Sequence, residues 1–286
     1  MKVIVLPHQG LGDQIIMNGY INYLASNPDI ESIVLIARSY QKNTLEHLYQ
    51  DIQKVTFSWD IIESERTIYT ETTNPLIKAL NGMTFGQSIL VNNEPFIVHV
   101  FGFHSSVHSF IIQGRNWADS FYINANVDPT LRYSMFILPR NMRRSNGLYE
   151  SLIDYLGGSK YILIHDDPSR QRYINANHVT NAMKTNGTSH LPVIYLGKNR
   201  YSFPLFEGLN NKPLPDFFTT ESFLDLYDTI FNATECHFMD SSFACLTDTM
   251  NTSKSKLYLH YYITEMNRRG KFIEVHTNRQ WTTLYE

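Results

Sequence analysis

Short apolar runs and helix-period segments take turns along the chain. Residues 2–6, KVIVL, are a β-branched run that reads as a buried strand. A loop with Pro7, Gly10 and Gly12 follows, and then a segment in which Ile15, Ile16, Tyr20, Tyr23 and Leu24 recur at helical spacing. Ile33 to Ala37 is a second strand, residues 39–51 are a helix with Leu45, Leu48 and Tyr49 on one face, and Val55 to Trp59 is a third strand. Strands alternating with helices predict βαβ units, a parallel sheet and right-handed crossovers. Residues 63–83 are polar and carry no clear period. Pro95 to Gly102 is a strong strand ending in glycine, and Phe121 to Asn126 reads as another strand.

Leu138 to Gly147 is polar, basic and broken by Pro and Gly, which marks it as a linker. The pattern then restarts. Residues 148–157 read as a helix stopped by Gly157 and Gly158, 160–167 as a strand ending in charges, and 191–197 as a buried strand. Residues 219–234 read as a helix capped by Thr219 or Thr220, 235–242 as a strand, 242–251 as a helix and 255–262 as a final strand. The expected architecture is α/β, with one Rossmann-like domain over residues 1–145 and a second over 146–286.

Composition narrows the function. The chain has 286 residues, of which 43% are hydrophobic and 18% charged, enough for real cores. Net charge is −3 and Lys/Arg clusters are short, so a nucleic-acid partner is not expected. The two cysteines, Cys236 and Cys245, form no CxxC pair and read as reduced, buried thiols. No apolar run reaches the roughly 18–20 residues of a membrane span, and the N-terminus turns polar too soon for a signal peptide. A cytoplasmic location with no transmembrane segment is the expectation.

Four stretches have chemistry to offer. The first is His8 to Gln14, with Gly10 and Gly12 between strand and helix, where backbone approaches a ligand closely and a helix end offers N–H groups to an anion. It is neither GxGxxG nor a Walker A loop. The second is His165 to Arg172, at a strand's carboxyl end, where Arg170 and Arg172 could grip a diphosphate while Asp166 and Asp167 orient them or bind a hydroxyl. Asp240, Ser241, Ser242 and Phe243 form the third, another strand-to-helix junction and a ready phosphate cradle; simple N-capping accounts for it equally. The fourth holds His104 and His108 after the strong strand, either of them a base near neutral pH.

Together these pieces resemble a nucleotide-sugar glycosyltransferase of the two-Rossmann-domain kind, the GT-B fold, whose two domains face a cleft. Residues 221–250 resemble its donor-binding unit, and the Asp-Ser-Ser-Phe run is similar to that of fucosyltransferases using GDP-fucose. Gly10-Leu11-Gly12-Asp13-Gln14 resembles both their Gly-Leu-Gly-Asn-Gln loop and the Gly-Asp loop of bacterial heptosyltransferases. His165 to Arg172 stands where fucosyltransferases carry His-x-Arg-Arg-x-Asp, but here two aspartates follow the histidine and the arginines come later. The resemblance implies inverting, metal-independent transfer to a glycan acceptor held by the first domain, from a nucleotide-sugar donor held by the second. It implies Asp13 as base with His104 in reserve. Gly10, Gly12, His165, Arg170, Arg172, Asp240, Ser241, Ser242 and Phe243 would contact the donor. No cofactor or divalent metal is expected. The competing readings are a sugar-nucleotide epimerase of the same fold, a non-catalytic sugar- or nucleotide-binding protein, and a Rossmann dehydrogenase.

Overall fold

The computed structural model describes residues 1–8, 10–60, 74–80, 82–101, 117–167, 172–196, 208–250, 254–261 and 281–285. One compact unit spans Met1–Arg140 and a second begins at Asn141. None of the helices among the described residues is long and apolar enough to cross a membrane.

The first unit is built on β1 (Lys2–Pro7), β2 (Ser32–Arg38), β3 (Val55–Asp60), β4 (Ser88–Val91) and β5 (Glu94–Phe101). Their order in the sheet is β3-β2-β1-β5-β4; β4 is antiparallel to β5, and the other pairs are parallel. The β4–β5 hairpin went unread in the sequence. Its turn is made by Asn92 and Asn93, both with positive φ, a conformation asparagine tolerates better than most residues. Side chains of β5 alternate between the two faces. Val98 and Val100 join Ile4, Leu6 and Ile36 beneath Ile77 and Leu80 of α3 (Pro75–Leu80). His99 and Phe101 meet Tyr20 of α1 (Leu11–Ser26) on the other face. Tyr23, placed by its spacing on the packed stripe of α1, is 39% exposed. The second helix, α2 (Lys42–Tyr49), buries Leu45, Leu48 and Tyr49 as its period requires.

Phe121 to Asn126 is not a strand. It lies in or just past α4 (Trp117–Asn124), and the buried residues Ala118, Phe121, Tyr122 and Ala125 follow helical spacing that the shorter window did not show. The Tyr122 hydroxyl donates to the Ile16 carbonyl at 2.6 Å, tying α4 to α1. The short helix α5 (Leu131–Ser134) presses still closer: a Cβ placed on Gly19 would lie 2.1 Å from the Leu131 carbonyl oxygen.

The second unit begins at Asn141, within the expected linker, and the latter half of that stretch, 143–147, belongs to α6 (Arg143–Leu156). Arg144, in the stretch read as a basic linker, donates from Nε to the buried Asp225 carboxylate at 2.9 Å. The helix ends at Gly157 in the left-handed region, φ 67, as its glycine pair predicts. Next come β6 (Ile162–His165), α7 (Ala176–Asn186), β7 (Val193–Tyr195), β8 (Asn211–Lys212), α8 (Tyr227–Phe231), β9 (Glu235–Met239), α9 (Ser242–Thr249), β10 (Lys256–Tyr261) and β11 (Trp281–Tyr285). The sheet order is β11-β10-β9-β6-β7-β8, with every pairing parallel. Two expectations change. The strand after Ser255 is followed by β11, and the long helix over 219–234 is a 3-10 turn, Phe223–Leu226, running into α8. The cap is Ser222 rather than a threonine: its Oγ accepts from the Leu224 N–H at 3.2 Å, while Asp225 accepts from the Ser222 N–H at 3.0 Å. Cys236 and Cys245 are free thiols, both buried.

Two outcomes follow from the packing. Gly19→Ala forces α5 off α1, and a loss of about 1–3 kcal/mol, the range for overpacked cores, is expected in urea denaturation. His99 accepts from the Tyr20 hydroxyl at 2.7 Å, and burial pulls its pKa down from 6.5 to about 4. The unfolded chain therefore takes up this proton first. The stability held by neutral His99 is complete above about pH 6.5 and is lost as pH falls towards 4, by about 3 kcal/mol at most at about 1.4 kcal/mol per pH unit. Denaturation midpoints for wild type and His99→Gln between pH 7 and 4 should converge as the pH drops.

Candidate active site

In an open α/β sheet, ligands bind outside the carboxyl ends of the strands, at the point where strand order reverses. Each unit has one such point. In the first, successive crossovers run outward from β1 to β2 and β3, while β5 lies on the other side of β1. In the second, β7 and β8 lie on one side of β6 and β9, β10 and β11 on the other. Two of the four stretches singled out in the sequence fall at the second point and one at the first.

At the first point, His8 leaves β1 and Gly10 caps α1. Asp13, in the first turn, folds back so that its Oδ2 accepts from the Gly10 N–H at 2.8 Å and lies 2.8 Å from His8 Nδ1. The Gly10 backbone is extended, φ −85, and its glycine matters for space: a Cβ there would sit 3.0 Å from Asp13 Oδ2 and press on the carboxylate. Both side chains keep contact with solvent, His8 at 13% and Asp13 at 18%. Gly12 lies in the first turn of α1. The sequence singled out Asp13 but not its partner. His8 lies five residues earlier, a separation that matches no helix or strand period, and only the turn between them makes them neighbours.

At the second point, β6 and β9 are hydrogen-bonded neighbours, with His165 opposite Phe238. The His165 ring stacks on Phe243, with centroids 3.8 Å apart. Phe243 is wedged in turn against Phe223 and Phe238, so it anchors the histidine from within the core. Ser241 is the N-cap residue of α9, yet its side chain makes no capping bond. Its Oγ is buried and has no hydrogen-bond partner among the described residues, beside the unsatisfied N–H groups of a helix start. Ser242 opens the helix, and Asp240, partly exposed, precedes it. Simple capping therefore does not account for the Asp-Ser-Ser run.

The aspartates after β6 each have a defined place. Asp166 is buried and accepts from the Tyr195 hydroxyl at the end of β7; burial, and secondarily the neighbouring Asp167, push its carboxyl above the usual range. Asp167 and Arg172 exchange backbone hydrogen bonds, each 3.0 Å, closing a tight loop. The backbone of Arg172 is thus held beside the site, while Arg170 and His104 lie outside the described residues. Among the described residues no three His, Cys, Asp or Glu side chains gather as metal ligands.

No family model and no curated protein matches the sequence. Solved structures do match. A glycosyl transferase of family 9 from Veillonella parvula superposes with a TM-score of 0.57 at 11% identity, covering 100% of this chain and 85% of that one. The ADP-heptose LPS heptosyltransferase II of E. coli superposes with a TM-score of 0.55 at 11% identity, covering 99% of this chain and 90% of that one. The fold is that of the GT-B glycosyltransferases. The likeness lies on the heptosyltransferase side of the sequence resemblance, and the fucosyltransferase likeness rests on sequence alone.

A buried hydroxyl without a partner is a cost to the folded state. Ser241→Ala should leave the melting temperature of the ligand-free protein unchanged or raise it, as read by calorimetry.

Proposed function

We propose that the chain transfers a sugar from a nucleoside diphosphate donor to a hydroxyl of a glycan acceptor, by direct displacement with inversion and without a metal ion. The observation that carries this reading is Ser241. A buried hydroxyl with no partner among the described residues stands at the N-terminus of α9, at the strand-order reversal of a parallel sheet. Helix N–H groups, the positive end of the helix dipole and a spare hydroxyl are the complement of a diphosphate. The fold shared with the family 9 enzymes supports a glycosyl donor over other diphosphate ligands.

Each residue then has a task. The Ser241 and Ser242 loop and the start of α9 bind the donor diphosphate and stabilise the charge that grows on it as the glycosidic bond breaks. Arg172 adds positive charge after β6, with Arg170 assigned the same task from the sequence, and His165, held by Phe243, lines the same end of the sheet. The loop of His8, Gly10 and Asp13 receives the acceptor, and Asp13 is needed to remove the proton of the attacking hydroxyl. GDP-fucose and ADP-heptose remain two choices within one donor class; ADP-heptose is the sugar nucleotide named for the E. coli neighbour.

The test is a thermal-shift panel of ADP, GDP, UDP and their sugar conjugates, followed by calorimetric titration with the best of them. One nucleoside diphosphate should raise the melting temperature and NAD(H) should not. Ser241→Ala should weaken its binding about tenfold, the size of one hydrogen bond to a charged group. Asp13→Ala should keep donor binding and lose transfer. Absence of a shift with every nucleotide overturns the reading, and epimerised donor formed without acceptor replaces transfer with epimerisation.

A further inference from the structure

On the reading of a glycosyltransferase that holds a diphosphate at the start of α9, we propose that Asp166 is the proton-linked group of the donor site. It is ionised in part of the molecules while the site is empty, and it carries a proton once the diphosphate is bound. The register of the sheet brings it there. His165 pairs with Phe238, so Asp166 comes level with Met239, two residues before Ser241. Side chains alternate along a strand, and Asp166 follows Ile164 onto the face where Ile164, Tyr195 and Met239 pack with Val179 and Met183 of α7. The residue is 1% exposed, and its carboxyl accepts from the Tyr195 hydroxyl. Among the described residues no cation acts on it. Burial holds the carboxyl above the usual range, the Tyr195 hydroxyl pulls it back down, and Asp167 adds to the rise.

A diphosphate brings negative charge to this same end of the sheet. An ionised carboxylate one strand away opposes it, and out of water that opposition is weakly screened. The complex removes the conflict by taking a proton from the buffer onto the Asp166 carboxyl, and no other bond changes. The groups around Asp166 come from several elements. Tyr195 stands on β7, where burial and then the Asp166 bond push its hydroxyl further up, so it stays neutral. Tyr173 lies near Tyr195, and the backbone of Arg172 is bridged to that of Asp167, the next residue in the chain. β9 presents the uncharged Met239 and is followed by Asp240. His178 is in the first turn of α7, and His165 points to the opposite face of β6, against Phe243. Histidines in general exchange protons near neutral pH, so these two serve as controls.

The probe is the sugar nucleotide that best stabilises the protein, because its diphosphate diester keeps one charge between about pH 5 and 8. Calorimetric titration of the full chain in buffers of different ionisation enthalpy reads the protons taken up per ligand bound. Wild type should take up a fraction of one proton, and its affinity should fall as pH rises, by about tenfold per pH unit at most. Asp166→Asn keeps an oxygen for the Tyr195 hydroxyl. It should show no uptake and a flat profile, and at about pH 8 it should bind about tenfold more tightly than wild type. Tyr195→Phe removes the bond that favours the ionised form, so the profile should move to higher pH, which a merely structural role would not produce. His165→Gln and His178→Gln should keep the uptake, whatever their affinity. Each variant is first checked by circular dichroism, and if Asp166→Asn fails to fold, Tyr195→Phe decides. Uptake that persists in Asp166→Asn, uptake that vanishes in either histidine variant, an unmoved Tyr195→Phe profile, or wild-type binding with no uptake overturns the assignment. A wild-type protein that binds no sugar nucleotide overturns instead the functional reading on which it rests.

Discussion

Neighbouring parallel strands need a crossover between them, and a sheet that grows in both directions from one strand must send its crossovers over opposite faces. In this chain β1 and β6 are those central strands. Where the two sets of crossovers part, the carboxyl end of the sheet is left without a covering connection, and the loops that begin there have room for a ligand. The chemistry-bearing residues follow from that constraint. His8 and Asp13 flank the turn from β1 into α1, His165 ends β6 with Asp166 just after it, and Ser241 lies in the turn leaving β9, which is hydrogen-bonded to β6.

The two loops are built to different electrostatic ends. Around Asp13, the carboxylate oxygen is committed to a backbone donor and a ring nitrogen, so the turn holds itself in shape. Around Ser241, the hydroxyl is committed to nothing among the described residues, and it stands at a helix start, where the first N–H groups have no intrahelical partner. The neighbouring carboxyl of Asp166 stays out of this electropositive end by burying itself against Tyr195, where desolvation favours its neutral form.

Much of the fold was legible because apolar runs and helical spacing are local properties. The runs at 2–6 and 33–37 lie in β1 and β2, those beginning at 95 and 235 contain β5 and β9, and the glycines at 10 and 157 sit at helix ends. What the sequence concealed depended on partners far along the chain. Phe121 and Tyr122 look strand-like alone and become helical only with Ala118 and Ala125, which are buried with them at helical spacing. Arg144 looks like a linker charge until Asp225, 81 residues away, is folded against it. The strand β11 shows no strong apolar run, since it lies at the edge of its sheet and is only half-buried. The site was legible in the same measure. Glycines and small residues at strand-to-helix junctions marked the loops, but the role of Phe243 as the support for His165, the pairing of Tyr195 with Asp166 and the solitude of the Ser241 hydroxyl are tertiary facts.

The contact between Gly19 and Leu131 has an asymmetric consequence. On one side it uses the absence of a side chain, and on the other a carbonyl oxygen that every residue type possesses. Position 131 can change its side chain without touching this contact, whereas position 19 has a single acceptable occupant. The register of α1, and with it the height at which Asp13 meets His8, is therefore set six residues downstream by an atom that carries no sequence information.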